Sequence, residues 1–539
     1  MPSIALALLI TSAAWAQTRA DVTPGTAASA AAAAASGTAG SGTAAASGVA
    51  AESEKRPAPG SAEEALQKRV AQLEAEMELM REEMRLLKQS SSLTTNSAAA
   101  NAATGPTPTT GSTASTAVSA TAAVASPAAI TPAAPAGATA NTQSKPEEEH
   151  RPGVQIGPVR VIPYALLHVS LFGNSGGTNN ADVPLFATPT GVGNTSATAR
   201  ESRLGLRFEG PEIAGAKSSG VFETDFTGGF PAIGIGEDFG VVRLRLAYFK
   251  LDWKNTTLQV GQDWTIFSPG NPVSLASVGT PEFAAGGNLF ARIPQIRLEQ
   301  RWLDGKISWA GAVLASTTGD YPAPNTNPFV LQPGGGAASR IPAFESRLAV
   351  NGKDWLGANR AGTIGISVHY GRERVIGSPH NTDIDVMGVS ADWDMPLVKR
   401  LTFAGEAFFG RNLGGFAGDV SQTFTPDFAY KAGNVLVPGG PRAPGTRGGW
   451  TQLGFTPPIL GDRFTIFESF GIEDPRDKDF ISLSKREARL RNLAFASCLR
   501  YKFSPQLSWG LEYRRLETQY LFAGRQNNNH LNLAAAYTF

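Results

Sequence analysis

From Val154 onward the chain repeats one unit. Apolar and polar side chains alternate over about ten residues, and a cluster of Gly, Pro, Asn or Asp closes the run. Alternation of period two marks a strand with one apolar and one polar face. About 16 such runs can be marked, near Val161–Gly173, Arg200–Gly210, Gly220–Phe226, Val241–Leu251, Thr256–Trp264, Ile293–Trp302, Lys306–Ala315, Phe344–Val350, Thr363–Tyr370, Asp383–Trp393, Leu401–Arg411, Gly448–Phe455, Arg463–Ile472, Arg489–Tyr501, Gln506–Glu517 and Asn529–Phe539. The connections are unequal. Asp252–Asn255, Leu303–Gly305 and Met395–Lys399 are short, whereas Asn174–Ala199, Thr265–Arg292, Ser316–Ile341, Asn412–Arg447 and Glu473–Glu487 are long. A soluble sandwich has no reason to place its long loops at every second connection. Short turns at one end, long loops at the other and an even strand count predict an all-β transmembrane barrel of about 16 antiparallel strands.

The last strand fits that expectation. Leu531, Leu533, Ala535, Tyr537 and Phe539 share one face, while Asn532, Ala534, Ala536 and Thr538 share the other. An apolar-out, polar-in strand ending on Phe is similar to the C-terminal signal read by the bacterial barrel-assembly machinery. Beyond the first residues no run of 18 apolar residues occurs, so no helix is expected to span a membrane.

The faces can be assigned strand by strand. Leu204, Leu206 and Phe208 point to lipid, leaving Arg203 and Arg207 inside. The same rule turns Glu223, Asp225, Arg243, Arg245, Arg297, Glu299, Arg301, Glu345 and Arg347 inward. A cationic side chain facing the lipid midplane would cost about 2–4 kcal/mol, so these charges belong to a wet lumen. Two readings of the arginines stand side by side. They form a positive wall that concentrates carboxylates or phosphates, or they pair with the acids and stiffen the barrel. Residues Thr265–Ile293 follow the fifth strand and are rich in Pro, Gly and small side chains. By analogy with sixteen-stranded porins, this segment folds inward as a constriction, with Asp263, Glu282 and Arg292 as its charged members.

Ahead of the barrel the composition changes four times. Residues 1–16 read as a signal peptide, with an apolar core Ile4–Ile10 and the small-x-small pattern Ala14-Trp15-Ala16, although no Lys or Arg precedes the core. Residues 17–60 are a low-complexity Ala/Gly/Ser/Thr leader. Residues 61–89 carry a capping box, Ser61 to Glu64, and a heptad seam of Leu66, Val70, Leu73, Met77, Met80, Met84 and Leu87. The pairs Arg69 with Glu74, Glu76 with Arg81 and Glu83 with Lys88 are opposite in sign at the positions that meet in a parallel pair. A parallel coiled-coil homo-oligomer follows, about 40 Å long at 1.5 Å per residue. Residues 90–153 have no hydrophobic period and read as a disordered linker with a reach of about 45 Å.

Other chemistries find little support. Formal net charge is +1, which gives no global basic patch for nucleic acid. One cysteine, Cys498, excludes a disulfide framework and reads as a packed side chain. His150, His168, His369, His380 and His530 are scattered without metal-ligand spacing, and no phosphate loop or nucleophile elbow is present. No cofactor and no catalytic residue is expected.

The segments Ala199-Arg200-Glu201-Ser202-Arg203-Leu204-Gly205, Glu223-Thr224-Asp225-Phe226, Arg243-Leu244-Arg245-Leu246-Ala247-Tyr248 and Gly261-Gln262-Asp263-Trp264-Thr265-Ile266-Phe267 resemble early-strand motifs of the DcaP-like outer-membrane porins. The match covers roughly the first third of the barrel; the coiled-coil-plus-barrel layout covers most of the chain. The resemblance implies a homotrimeric porin for small solutes, leaning to organic anions, in the outer membrane with its coiled coil in the periplasm. The long Ala/Gly/Thr/Pro tracts and Asp263 depart from that pattern. A structural anchor that tethers the cell wall through its stalk is the alternative.

Overall fold

The computed structural model describes residues 153–228, 240–319, 333–352, 360–377 and 380–539. The signal peptide, the leader, the coiled-coil seam from Leu66 to Leu87 and all but the last residue of the linker lie outside the described residues. The described chain forms β1 (Val159–Thr178), β2 (Ala187–Thr198, continued by Arg203–Ile213), β3 (Ala216–Asp225), β4 (Arg243–Asp252), β5 (Thr256–Trp264), β6 (Arg292–Trp302), β7 (Ile307–Leu314) and β8 (Ala343–Gly352). It continues as β9 (Gly362–Val375), β10 (Thr382–Val398), β11 (Leu401–Arg411), β12 (Gly445–Phe455), β13 (Phe464–Glu473), β14 (Arg489–Lys502), β15 (Leu507–Tyr520) and β16 (Arg525–Thr538). Each pairs antiparallel with the next, and β16 pairs with β1 from Leu166↔Thr538 to Asn174↔His530. The 16 strands therefore close into a barrel without a free edge. All the runs marked in the sequence are strands here.

The reading of Asn174–Ala199 as a loop is corrected. Only residues 179–186 connect β1 to β2, because both strands run on as a hairpin paired from Ser170↔Thr198 to Thr178↔Ala187. That extension is rich in Gly, Thr, Ser and Asn, and Val192 on it is 82% exposed. Both of its faces are wet, so selection for alternating hydrophobicity is absent. Between its halves β2 breaks at residues 199–202. Ser202 fills the missing ladder position, since its Oγ accepts from His168 N (3.0 Å) and donates to His168 O (3.1 Å). The break turns both Arg200 and Glu201 into the barrel, where they are buried.

The outer surface is an apolar belt, with Ile296, Ile366, Phe409 and Leu531 each more than half exposed. Glu468 is its exception: flanked by Ile466 and Phe470, it points outward and accepts from Ser497 Oγ at 2.8 Å. The interior is not uniformly polar. Ile266, Phe267, Leu289, Leu314, Phe408, Leu413 and Phe416 form an apolar cluster within the barrel. Cys498 is buried. Among the described residues no helix is long and apolar enough to cross a membrane.

Candidate functional site: the lumen loop and its two anchorages

Residues 265–291, between β5 and β6, fold into the barrel and meet wall residues from β8 round to β2 in chain order. The loop begins at a cluster of carboxylates. Glu345 of β8 accepts from Ile266 N (2.9 Å) and Phe267 N (3.2 Å), and its other oxygen lies 3.0 Å from His369 Nδ1. Glu406 of β11 accepts from Ser268 Oγ (2.6 Å) and Gly270 N (2.5 Å). Phe267 packs against His369 and edge-on against Phe416. Inward strand carboxylates thus satisfy loop N–H groups that would otherwise be buried without partners.

The middle of the loop crosses to the opposite wall. Val273 N donates to Gln452 (2.9 Å), Ser274 Oγ to Glu512 (2.5 Å), and Leu275 O lies 2.8 Å from His168 Nε2.

The second anchorage is Gly279. Its N–H donates to Glu201 (2.7 Å), which also accepts from Val278 N and Thr280 N. Its carbonyl oxygen accepts from three guanidinium groups: Arg243 Nη2 (3.0 Å), Arg245 Nη1 (3.1 Å) and Arg292 Nη2 (3.3 Å). Asp225 holds Arg243 at 2.7 Å and Arg245 at 2.8 Å, and Glu223 holds Arg245 at 2.7 Å. A β-bulge brings the two β4 arginines together. Register slips between Glu223↔Leu246 and Thr224↔Leu244, which leaves Arg245 as the extra residue. Leu246, which simple alternation would turn to lipid, is buried instead.

Arg203 stands opposite Asp225 in the ladder. Four guanidiniums (Arg203, Arg243, Arg245, Arg292) therefore face three carboxylates (Glu201, Glu223, Asp225). Among the described residues, buried Arg203 Nε and Arg292 Nη1 have no hydrogen-bond partner.

The remaining residues singled out from the sequence lie elsewhere on the wall. Arg297 pairs with Asp263 (3.0 Å) and Glu299 (3.1 Å), and Arg301 lies 3.9 Å from Glu299. Arg347 pairs with Asp392 at 2.5 Å, and Arg207 lies over the Tyr164 ring at 4.8 Å. Asp263 lies in β5, within the strand expected over Thr256–Trp264 and outside residues 265–291 of the loop, and is held by Arg297 and Gln259 (2.7 Å). Arg292 is the first residue of β6 and stacks on Trp264 at 4.6 Å. Glu282 is the loop's own buried acid, 3.7 Å from Arg514. Burial and the neighbouring Glu512 carboxylate push its pKa well above the usual range.

Sequence reading missed Glu201, Glu406, Glu512 and Arg514. The last three lie inward by strict alternation, and that was the available signal. Glu201 had none, because it sits at the break in β2.

Between the loop and the short-turn end lies a cavity of about 390 Å³, lined in part by Asn271, Val273, Trp450, Phe467, Arg500 and Lys502. Among the described residues no group of His, Cys, Asp and Glu side chains is arranged to hold a metal ion.

No protein-family profile matches the chain, and no curated protein matches it. Solved structures do. The crystal structure of the outer membrane channel DcaP of Acinetobacter baumannii is 18% identical, with a TM-score of 0.52 over 71% of this chain and 97% of that one. The barrel has the DcaP fold. Two weaker likenesses are an anion-selective porin from Comamonas acidovorans (12% identity, TM-score 0.44, 71% of this chain and all of that one) and Salmonella typhi OmpF in complex with daunomycin (10%, 0.42, 72% and all).

Proposed function

We propose that this protein is an outer-membrane porin through which small polar solutes diffuse, with a preference for small organic anions. The closed barrel, its apolar outer belt and its DcaP fold support the membrane channel. The observation that carries the anion preference is the convergence on Gly279. Three guanidiniums share one carbonyl oxygen, and among the described residues Arg203 and Arg292 each keep one buried N–H without a partner. A carboxylate passing there meets the part-exposed Arg243, already oriented by Asp225 and backed by the buried charges of Arg203, Arg245 and Arg292. In this reading Arg203, Arg207, Arg243, Arg245, Arg297, Arg301, Arg347, Glu223 and Asp225 line the pore, and the loop with Glu282 and Arg292 narrows it. The heptad seam joins copies in parallel, as trimers, from the periplasmic side, and the barrel-assembly machinery inserts the chain.

Planar-bilayer recording tests this. Purified protein should insert in discrete conductance steps, grouped in threes for a trimer, with a reversal potential in a salt gradient that favours the anion. A silent barrel that sediments with peptidoglycan would replace the porin by the cell-wall anchor.

A further inference from the structure

The outward faces of β9–β16 carry a second set of arginines, remote from the lumen. On β9, β11, β14 and β15 the outward apolar series ends toward the long loops in Tyr370, Phe409, Leu493 and Tyr513. The next outward residue is in each case an arginine: Arg372, Arg411, Arg491 and Arg515. Arg372 is held by Asp385 at 3.1 Å. Among the described residues Arg411, Arg491 and Arg515 have no carboxylate partner; Arg515 reaches only the Asn529 side chain, at 3.4 Å. On β1 and β7 the corresponding outward positions are Gly173 and Ala315, with no cation.

Guanidiniums placed at the rim of an apolar belt meet the headgroup layer, not the tails. The long-loop end of an outer-membrane barrel faces the outer leaflet. We propose that Arg411, Arg491 and Arg515 bind the phosphate groups of a phosphorylated glycolipid of the lipid A type in that leaflet. The claim rests on the outer-membrane reading above. Charge complementarity selects the occupant: three cations without a carboxylate partner among the described residues, each able to present a bidentate fork to phosphate, stand above the aromatic and aliphatic side chains that receive acyl chains. No lumen residue takes part, so the site is separate from conduction.

The test titrates the purified full-length protein with lipid A in detergent, in bis-phosphorylated and enzymatically dephosphorylated forms, and counts bound lipid by native mass spectrometry. Wild type should bind the phosphorylated form about tenfold or more tightly than the dephosphorylated one. The triple variant Arg411→Gln, Arg491→Gln, Arg515→Gln should lose that preference, and the triple Lys variant should recover most of it. Equal binding of both forms by wild type overturns the proposal without any variant. So does an unchanged preference in the Gln variant, or phosphatidylglycerol bound as tightly as lipid A. Bilayer conductance of the Gln variant should match wild type. If wild type bound lipid A selectively but never conducted, the porin reading would fail and the lipid site would stand.

Discussion

The two ends of the lumen loop are fixed by opposite chemistry. At Ile266–Gly270 the holders are Glu345 and Glu406, their oxygens occupied by loop N–H and hydroxyl donors, and Phe267 sits in an apolar cluster. At Gly279 the holders are Glu201 and three arginines, and the surrounding guanidiniums still have N–H groups to spare. The first end is saturated and dry, so it can only position the loop. In the proposed function, the second meets a passing anion through the part-exposed Arg243. On that proposal, fixing the loop and selecting the solute are separable tasks, divided between ends of one segment.

Four variants would break or sharpen that division. The largest effect is expected from Arg243→Gln with Arg245→Gln. The anion-over-cation permeability ratio should fall several-fold and reverse in sign of preference, because Glu223 and Asp225 are left without their cations. Losing one partner of such a buried pair costs about 3–5 kcal/mol, so heat resistance in gel-shift assays should drop as well. An unchanged reversal potential would place selectivity elsewhere.

Gly287→Ala comes next. Gly287 has φ +110°, and a Cβ there would lie 2.1 Å from Gly449 O and 2.7 Å from Ile472 O. Left-handed strain alone is worth about 1–3 kcal/mol. The returning arm of the loop should leave the wall, raising single-channel conductance while the permeability ratio changes less than in the arginine variant. Crystallography or bilayer recording showing an undisturbed loop would contradict this.

Phe267→Ala removes the apolar plug of the first end, at a local cost of about 3–5 kcal/mol. Open-channel current noise should rise, yet the reversal potential should stay put. A shift in selectivity would mean that the two ends are not independent.

The smallest effect concerns pH. Glu282 is raised well above its ordinary value of 4.5 in the folded protein. Its proton is therefore bound more tightly folded than unfolded. Its contribution to stability is complete below about 4.5 and is lost as pH rises toward and through the folded value. Glu282→Gln, measured by thermal unfolding between pH 4 and 8, should flatten that decline; an equally steep decline would assign it to another group.

The alternation of side chains was enough to mark the sixteen wall strands and the closure of the barrel, but not the short strand Val154–Ile156 or the hairpin of Thr425–Ala432 and Val435–Arg442 within the connection expected over Asn412–Arg447. That information is local: period two is written residue by residue, and lipid on one side enforces it. Where both faces are wet the enforcement lapses, and the hairpin over residues 174–199 was read as a loop. What alternation cannot encode is who meets whom across the lumen. The bulge that adds Arg245, the break that turns Glu201 inward and the seating of Gly279 between them join β2, β4 and a loop through contacts remote in sequence. Only closure of the cylinder brings them within hydrogen-bonding distance, so tertiary structure alone decided where the arginines are saturated and where they remain free.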